Sequence, residues 1–192
     1  MCWQVTRKCN LKCLYCLSDS GPKAEYGLTT KEAIKLIDGL GKIGVNRLDF
    51  TGGEPLMRKD LGILIDRAKK NKINTIVTTN TLLLNEKNIE DLKKADLIQI
   101  SIDGPKEIHD EQRQGIVFDK MIKNIKLLKK SDCKIRLNSF IYNDNKKYVE
   151  YLMNLSNELG IFSHLFTYSK LIFTDFYSQE YSNMNSKKIL IK

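Results

Sequence analysis

The stretch "VNRLDFTGGEPLMRKDLGILIDRAKKNKINTIVTTN", residues 45–80, decides the fold. Its two ends, "VNRLDFT" and "INTIVTTN", are short and rich in β-branched and aromatic residues, as strands are. Between them "KDLGILIDRAKKN" repeats its apolar residues at helical period. Two strands joined through a helix lie parallel and cross over right-handedly. The same rhythm extends both ways. Upstream stand a strand, "CWQVT", and a helix, "TTKEAIKLIDGLGKIG", with Thr29 or Thr30 as N-cap. Downstream come the helix "NEKNIEDLKKA", the strand "LIQISID", the helix "FDKMIKNIKLLKK", the strand "KIRLNSFIY" and the helix "KKYVEYLMNLSNELG". A sixth strand is expected around "HLFTYSKLIF". The pattern predicts an α/β fold with a parallel sheet, either doubly wound or curved into an incomplete barrel. Residues 1–173 are expected to form one core domain, and the polar stretch 174–192 an appendage.

Composition narrows the class. No apolar run approaches the roughly 20 residues that cross a bilayer. The start, "MCWQVTRKCN", lacks the apolar segment of a secretory signal. Five cysteines without an export signal point to a reducing, cytoplasmic setting, where clustered thiols bind metal or do chemistry. The net charge of +9 invites an acidic partner such as nucleic acid. The bases, however, are mostly Lys scattered through helical stretches such as "DRAKKNK" and "KMIKNIKLLKK", which read as solvated helix faces. Neither a membrane nor a nucleic acid is expected as partner.

In parallel α/β sheets, chemistry gathers at the carboxyl ends of the strands. The unusual residues fall there. "CNLKCLYC" (Cys9–Cys16) follows the first strand and "TGGEP" (Thr51–Pro55) the second; Thr78–Asn80 close the third, and Ser101, Asp103 and Gly104 the fourth. Three close thiols suit an iron–sulfur cluster or zinc. A four-iron cluster normally takes four cysteines, so three leave one iron open to an outside group. The zinc alternative needs completion by Cys2, Cys133, His109 or His164, none of which forms a second ribbon pair; Cys2 and Cys133 otherwise read as buried small hydrophobes. Gly52 and Gly53 allow close backbone approach to a ligand, and Glu54 offers a carboxylate suited to an ammonium group; the alternative is a tight turn with a solvated Glu. Arg113, placed in a loop folding back over the strand tips, has a planar fork suited to a carboxylate. Its alternative is a surface ion pair, and that of Asp103 a helix cap.

Together these residues resemble the radical S-adenosylmethionine (radical SAM) superfamily. "CNLKCLYC" fits its CxxxCxxC signature with aromatic Tyr15 before the last cysteine, and "TGGEP" fits its GGEP motif. "ISIDGPKEIHDEQR" resembles the strand-four segment of the branch holding peptide-modifying maturases, sulfatase-maturating enzymes and cofactor-biosynthesis relatives. The resemblance covers residues 1–142. It implies a partial (β/α)6 TIM-like barrel and a [4Fe-4S] cluster on Cys9, Cys13 and Cys16, whose open iron chelates the amino and carboxylate groups of S-adenosylmethionine. Reductive cleavage would then yield a 5′-deoxyadenosyl radical that takes hydrogen from a peptide or small metabolite. By the same resemblance Gly52, Gly53 and Glu54 serve the amino group, Ser101 and Arg113 the carboxylate, Asp103 or Asn80 the ribose, and backbone around Tyr15 the adenine. A flavodoxin or ferredoxin is the implied electron donor. The chain departs from the family in having Thr81 where relatives carry Gly, a less glycine-rich "QGIVFDK" after Arg113, and no cysteine-rich auxiliary-cluster domain. Substrate lining is expected from Asn138, Tyr142, His164 and Tyr168. A zinc- or nucleic-acid-binding module and an inactive truncated relative are the competing readings.

Overall fold

Six strands pair in one parallel sheet in chain order: β1 (Cys2–Gln4), β2 (Arg47–Thr51), β3 (Asn74–Thr79), β4 (Leu97–Ser101), β5 (Ile135–Phe140) and β6 (Phe162–Phe166). The computed structural model describes residues 1–25, 27–141 and 146–166. Helices α1 (Thr30–Lys42), α2 (Leu61–Lys70), α3 (Glu86–Leu92), α4 (Lys106–Arg113), α5 (Phe118–Lys130) and α6 (Val149–Leu159) fill the crossovers. A doubly wound sheet must reverse its strand order somewhere. This order never reverses, so the sheet is singly wound and barrel-like, and among the described residues β6 does not close onto β1.

Alternation explains the layering. In β2 and β5 every second residue is buried. Leu48, Phe50 and Leu137 pack with Ile37, Leu64, Ile125 and Leu152 of the helices into one core cluster, each such buried side chain contributing roughly 1.5–3 kcal/mol. The intervening positions, Asp49 and Arg136 among them, face the opposite, concave side of the sheet. No described helix is long and apolar enough to cross a membrane.

Thr29, not Thr30, is the cap of α1: its hydroxyl accepts from Glu32 N at 3.4 Å, and Glu32 accepts from Thr29 N at 2.9 Å. Thr29→Ala is expected to lower unfolding free energy by about 1 kcal/mol; an unchanged urea midpoint would show that this cap is idle.

Two expectations need correction. Arg113 does not sit in a loop but ends helix α4. The buried residues of that helix are His109 and Arg113, so its inner face is polar and no apolar period announces it. Strand β6 begins at Phe162, earlier than expected. The rest of the anticipated sixth strand, Tyr142, Tyr168 and the 174–192 stretch lie outside the described residues.

Candidate functional site

Cys9, Cys13 and Cys16 all line one cleft of about 610 Å³. Their loop is anchored by Cys9 N donating to Gly21 O (3.2 Å) and Leu14 N to Gln112 O (3.0 Å). Leu11 N donates to Cys9 Sγ and Ser20 N to Cys16 Sγ, each at 3.4 Å. Such N–H···S bonds relieve charge on a thiolate and tune the potential of any cluster it holds. Burial pushes the Cys9 thiol up to about 11; the Leu11 amide opposes this, and Glu54 and the other two thiols add to it. Burial raises Cys13 as well, against the pull of Arg113. Unliganded Cys9 and Cys13 therefore hold their protons, and metal must displace them.

The TGG turn is built against this loop. Gly53 N donates to Thr6 O at 2.7 Å and Glu54 N to Lys8 O at 2.8 Å, extending the β1–β2 pairing past the strand ends. A Cβ at Gly52 would lie 2.3 Å from Thr6 O, and one at Gly53 2.1 Å from Lys8 O. Gly52 also has φ +135, closed to side-chain-bearing residues. The glycines thus admit the chain's own backbone. Glu54, only 1% exposed, accepts from Thr79 Oγ1 (2.6 Å), Asn80 N (2.8 Å) and Leu56 N (3.0 Å), tying the turn to the tip of β3. Burial raises its pKa despite these three bonds. Asn80 donates from Nδ2 to Asn10 Oδ1 at 3.0 Å, which brings the β3 tip onto the cysteine loop. Thr81 takes φ +63, a left-handed turn unusual for a β-branched residue, held by its amide on Thr79 Oγ1 and by Asn124 Nδ2 on its carbonyl.

On the far wall Tyr15 OH donates to Asp103 Oδ1 (2.7 Å) and Arg113 Nε to Asp103 Oδ2 (2.7 Å), with the guanidinium 5.6 Å from the Tyr15 ring centre. Ser101 lines the same cleft. Burial alone would raise Asp103, but Arg113, His109 and the Tyr15 hydroxyl together hold it below 3.8. His109 is pushed down to about 4, chiefly by burial. Its Nδ1 accepts from Asp103 N, so its 3.4 Å approach to the carboxylate is that of a neutral ring and not an ion pair. A depressed carboxylate stabilises the fold above its unfolded value and ceases to as pH falls through its folded one. Asp103→Asn should therefore cost about 3 kcal/mol near neutrality by leaving Arg113 buried without its partner charge. In urea unfolding, the gap from wild type should narrow below about pH 4; a gap independent of pH would refute the pairing.

Deeper in the cleft lies a network that the motif reading missed. Asp49 accepts from Thr78 Oγ1 (3.0 Å) and Gln99 Nε2 (3.2 Å). Gln99 Oε1 accepts Arg136 Nε at 2.7 Å and Arg136 Nη2 as well. Beside it His164 Nδ1 and Asn138 Oδ1 lie 2.7 Å apart. The available signal was one polar residue at the centre of otherwise apolar strands such as "LIQIS", since strands buried on both faces read continuously apolar. Cys2, expected to be buried, is exposed because β1 begins there; its Sγ lies 3.3 Å from Thr51 Oγ1. Cys133 packs partly buried against the core.

The donor set fits an iron–sulfur cluster. Three soft thiols share one cleft, yet among the described residues no three Cys, His, Asp or Glu groups converge on a single-ion site.

Among known proteins, the family model of the Radical SAM superfamily matches residues 3–155. The AdoMet-dependent heme synthase of Oleidesulfovibrio alaskensis is 35% identical over 164 residues, 82% of this chain and 42% of that protein. The GTP 3′,8-cyclase of Clostridium botulinum is 36% identical over 166 residues, 82% of this chain and 52% of that protein. The chain thus spans about half or less of the length of these curated relatives. In fold it is similar to Streptococcus suis SuiB bound to precursor peptide SuiA, with TM-score 0.76 and 21% identity, covering 96% of this chain and 44% of that one.

Proposed function

Because the chain belongs to the radical SAM superfamily, we propose that it is a radical enzyme, with Cys9, Cys13 and Cys16 holding a [4Fe-4S] cluster and S-adenosylmethionine as cosubstrate. The observation that carries this reading is convergence. The three thiols, the Gly52–Glu54 turn, the β3 tip and the Tyr15–Asp103–Arg113 group all open on one cleft at the carboxyl ends of the strands. When bound, the cluster and cosubstrate supply a reductively generated 5′-deoxyadenosyl radical able to take a hydrogen atom from the substrate.

The protein's part is placement and exclusion of water. Gly52, Gly53 and Glu54 would meet the methionyl amino group, and Ser101 and Arg113 its carboxylate. Arg113 engages Asp103 through Nε and Nη2, and with five N–H donors in all it keeps others for that carboxylate. Asp103 or Asn80 would face the ribose and backbone around Tyr15 the adenine. A flavodoxin or ferredoxin is the proposed electron donor, and a peptide or small metabolite the substrate. The relatives named above act on unlike molecules and do not single out one of these.

The test is anaerobic reconstitution followed by iron analysis and incubation with dithionite and S-adenosylmethionine. About four irons per chain and accumulation of 5′-deoxyadenosine are expected. A fully loaded cluster that yields no 5′-deoxyadenosine would defeat the proposal.

A further inference from the structure

Below the cysteine loop, the concave face of the sheet carries two guanidinium groups that hold neither cluster nor cosubstrate. Arg47, at the start of β2, is exposed to the cleft and makes no side-chain hydrogen bond or ion pair among the described residues. Arg136, on β5, is half-buried, yet its direct partner is the neutral Gln99 oxygen and not a carboxylate. Asp49 hydrogen-bonds Thr78 and the other end of the Gln99 amide and acts on both arginines only at longer range, so a single negative charge faces two positive ones.

Two cations sharing one carboxylate at longer range are only partly compensated, which costs free energy unless something supplies further counter-charge. The two arginines also repel one another: Arg136 is pulled below its ordinary pKa by burial and then by Arg47, against the smaller opposing pull of Asp49. Such a concave wall focuses positive potential into the cleft. The planar forks suit a carboxylate or phosphate more than any other common ligand.

We propose that Arg47 and Arg136 form an oxyanion subsite on the floor of the cleft, taking a carboxylate or phosphate group of the substrate. Calling its occupant a substrate rests on the radical-enzyme reading; anion binding itself does not. The Thr78–Asp49–Gln99 chain sets the direction of the Arg136 fork, and Arg47 adds its charge from the start of β2 in the same cleft.

The reconstituted full chain is titrated by calorimetry with glutarate, with acetyl-glutamate amide, with methyl phosphate, and with neutral glutaramide. Saturable binding of at least one of the three anions below about 10 mM is expected, weakening as salt rises, with none for glutaramide. Which anion binds tightest separates a metabolite carboxylate, a peptide side chain and a phosphate. Arg136→Gln and, independently, the exposed Arg47→Gln should each weaken binding about tenfold or more. If Arg136→Gln fails to fold by circular dichroism, Arg47→Gln carries the comparison. No saturable anion binding by wild type, or equal affinity in the folded variants, overturns the subsite. Iron content, measured on the same samples, keeps the two readings apart. Iron without anion binding sinks the subsite alone, and anion binding without iron sinks the radical reading alone.

Discussion

Alanine at Cys13 is expected to leave a folded chain that has lost its cluster. Cys13 is half-buried beside a small satellite group of Cys9, Leu11, Leu82 and Val117 rather than in the main core. Trimming one sulfur there should cost about 1 kcal/mol of stability or less. The chemical effect should be total. With two thiolates left, iron after anaerobic reconstitution should fall from about four per chain to a small fraction of that, and 5′-deoxyadenosine formation at least about a thousandfold. Cys9→Ala and Cys16→Ala should behave alike, whereas Cys133→Ala, against the core, should keep its iron. Visible absorption and iron assay decide it. A Cys13→Ala protein with an intact four-iron spectrum and undiminished turnover would remove the proposed cluster ligands.

Gly53→Ala should do comparable damage by a different route. The added Cβ would stand 2.1 Å from the Lys8 carbonyl oxygen, and both sides of that contact are backbone. Relief means parting the turn from the start of the cysteine loop. That breaks Gly53 N to Thr6 O and Glu54 N to Lys8 O, and it loosens the buried Glu54 carboxylate from its three donors. Overpacking and lost hydrogen bonds together should lower stability by about 3 kcal/mol or more. Because the cysteine loop moves with the turn, cluster assembly should fail even where the chain still folds. Normal iron loading and an unchanged urea midpoint would show that the close approach is not required.

Much of this was legible along the chain. Helix α5 begins and ends where its period does, at Phe118 and Lys130, because lysines alternate cleanly with a buried stripe of Met121, Ile125 and Leu128. Helix α4 was not legible, since it buries His109 and Arg113 and its signal is therefore polar. The choice between a doubly wound sheet and a barrel was open as well, because strand order is a long-range property that no local pattern encodes. "TGGEP" marked a place of close approach, but the approaching group, Thr6–Lys8, lies more than forty residues away. Asp49, Gln99 and Arg136 are spread over three strands and become a network only when β2, β4 and β5 share one face.

Gln99 and glutamate have nearly the same outline, and their codons differ by a single base. Gln99→Glu would give Arg136 an internal counterion, but it would also set a carboxylate oxygen where the Gln99 amide now donates to Asp49. The charge that this floor presents thus hangs on a single amide, and one base change there would trade a hydrogen bond to Asp49 for a negative charge beside Arg136.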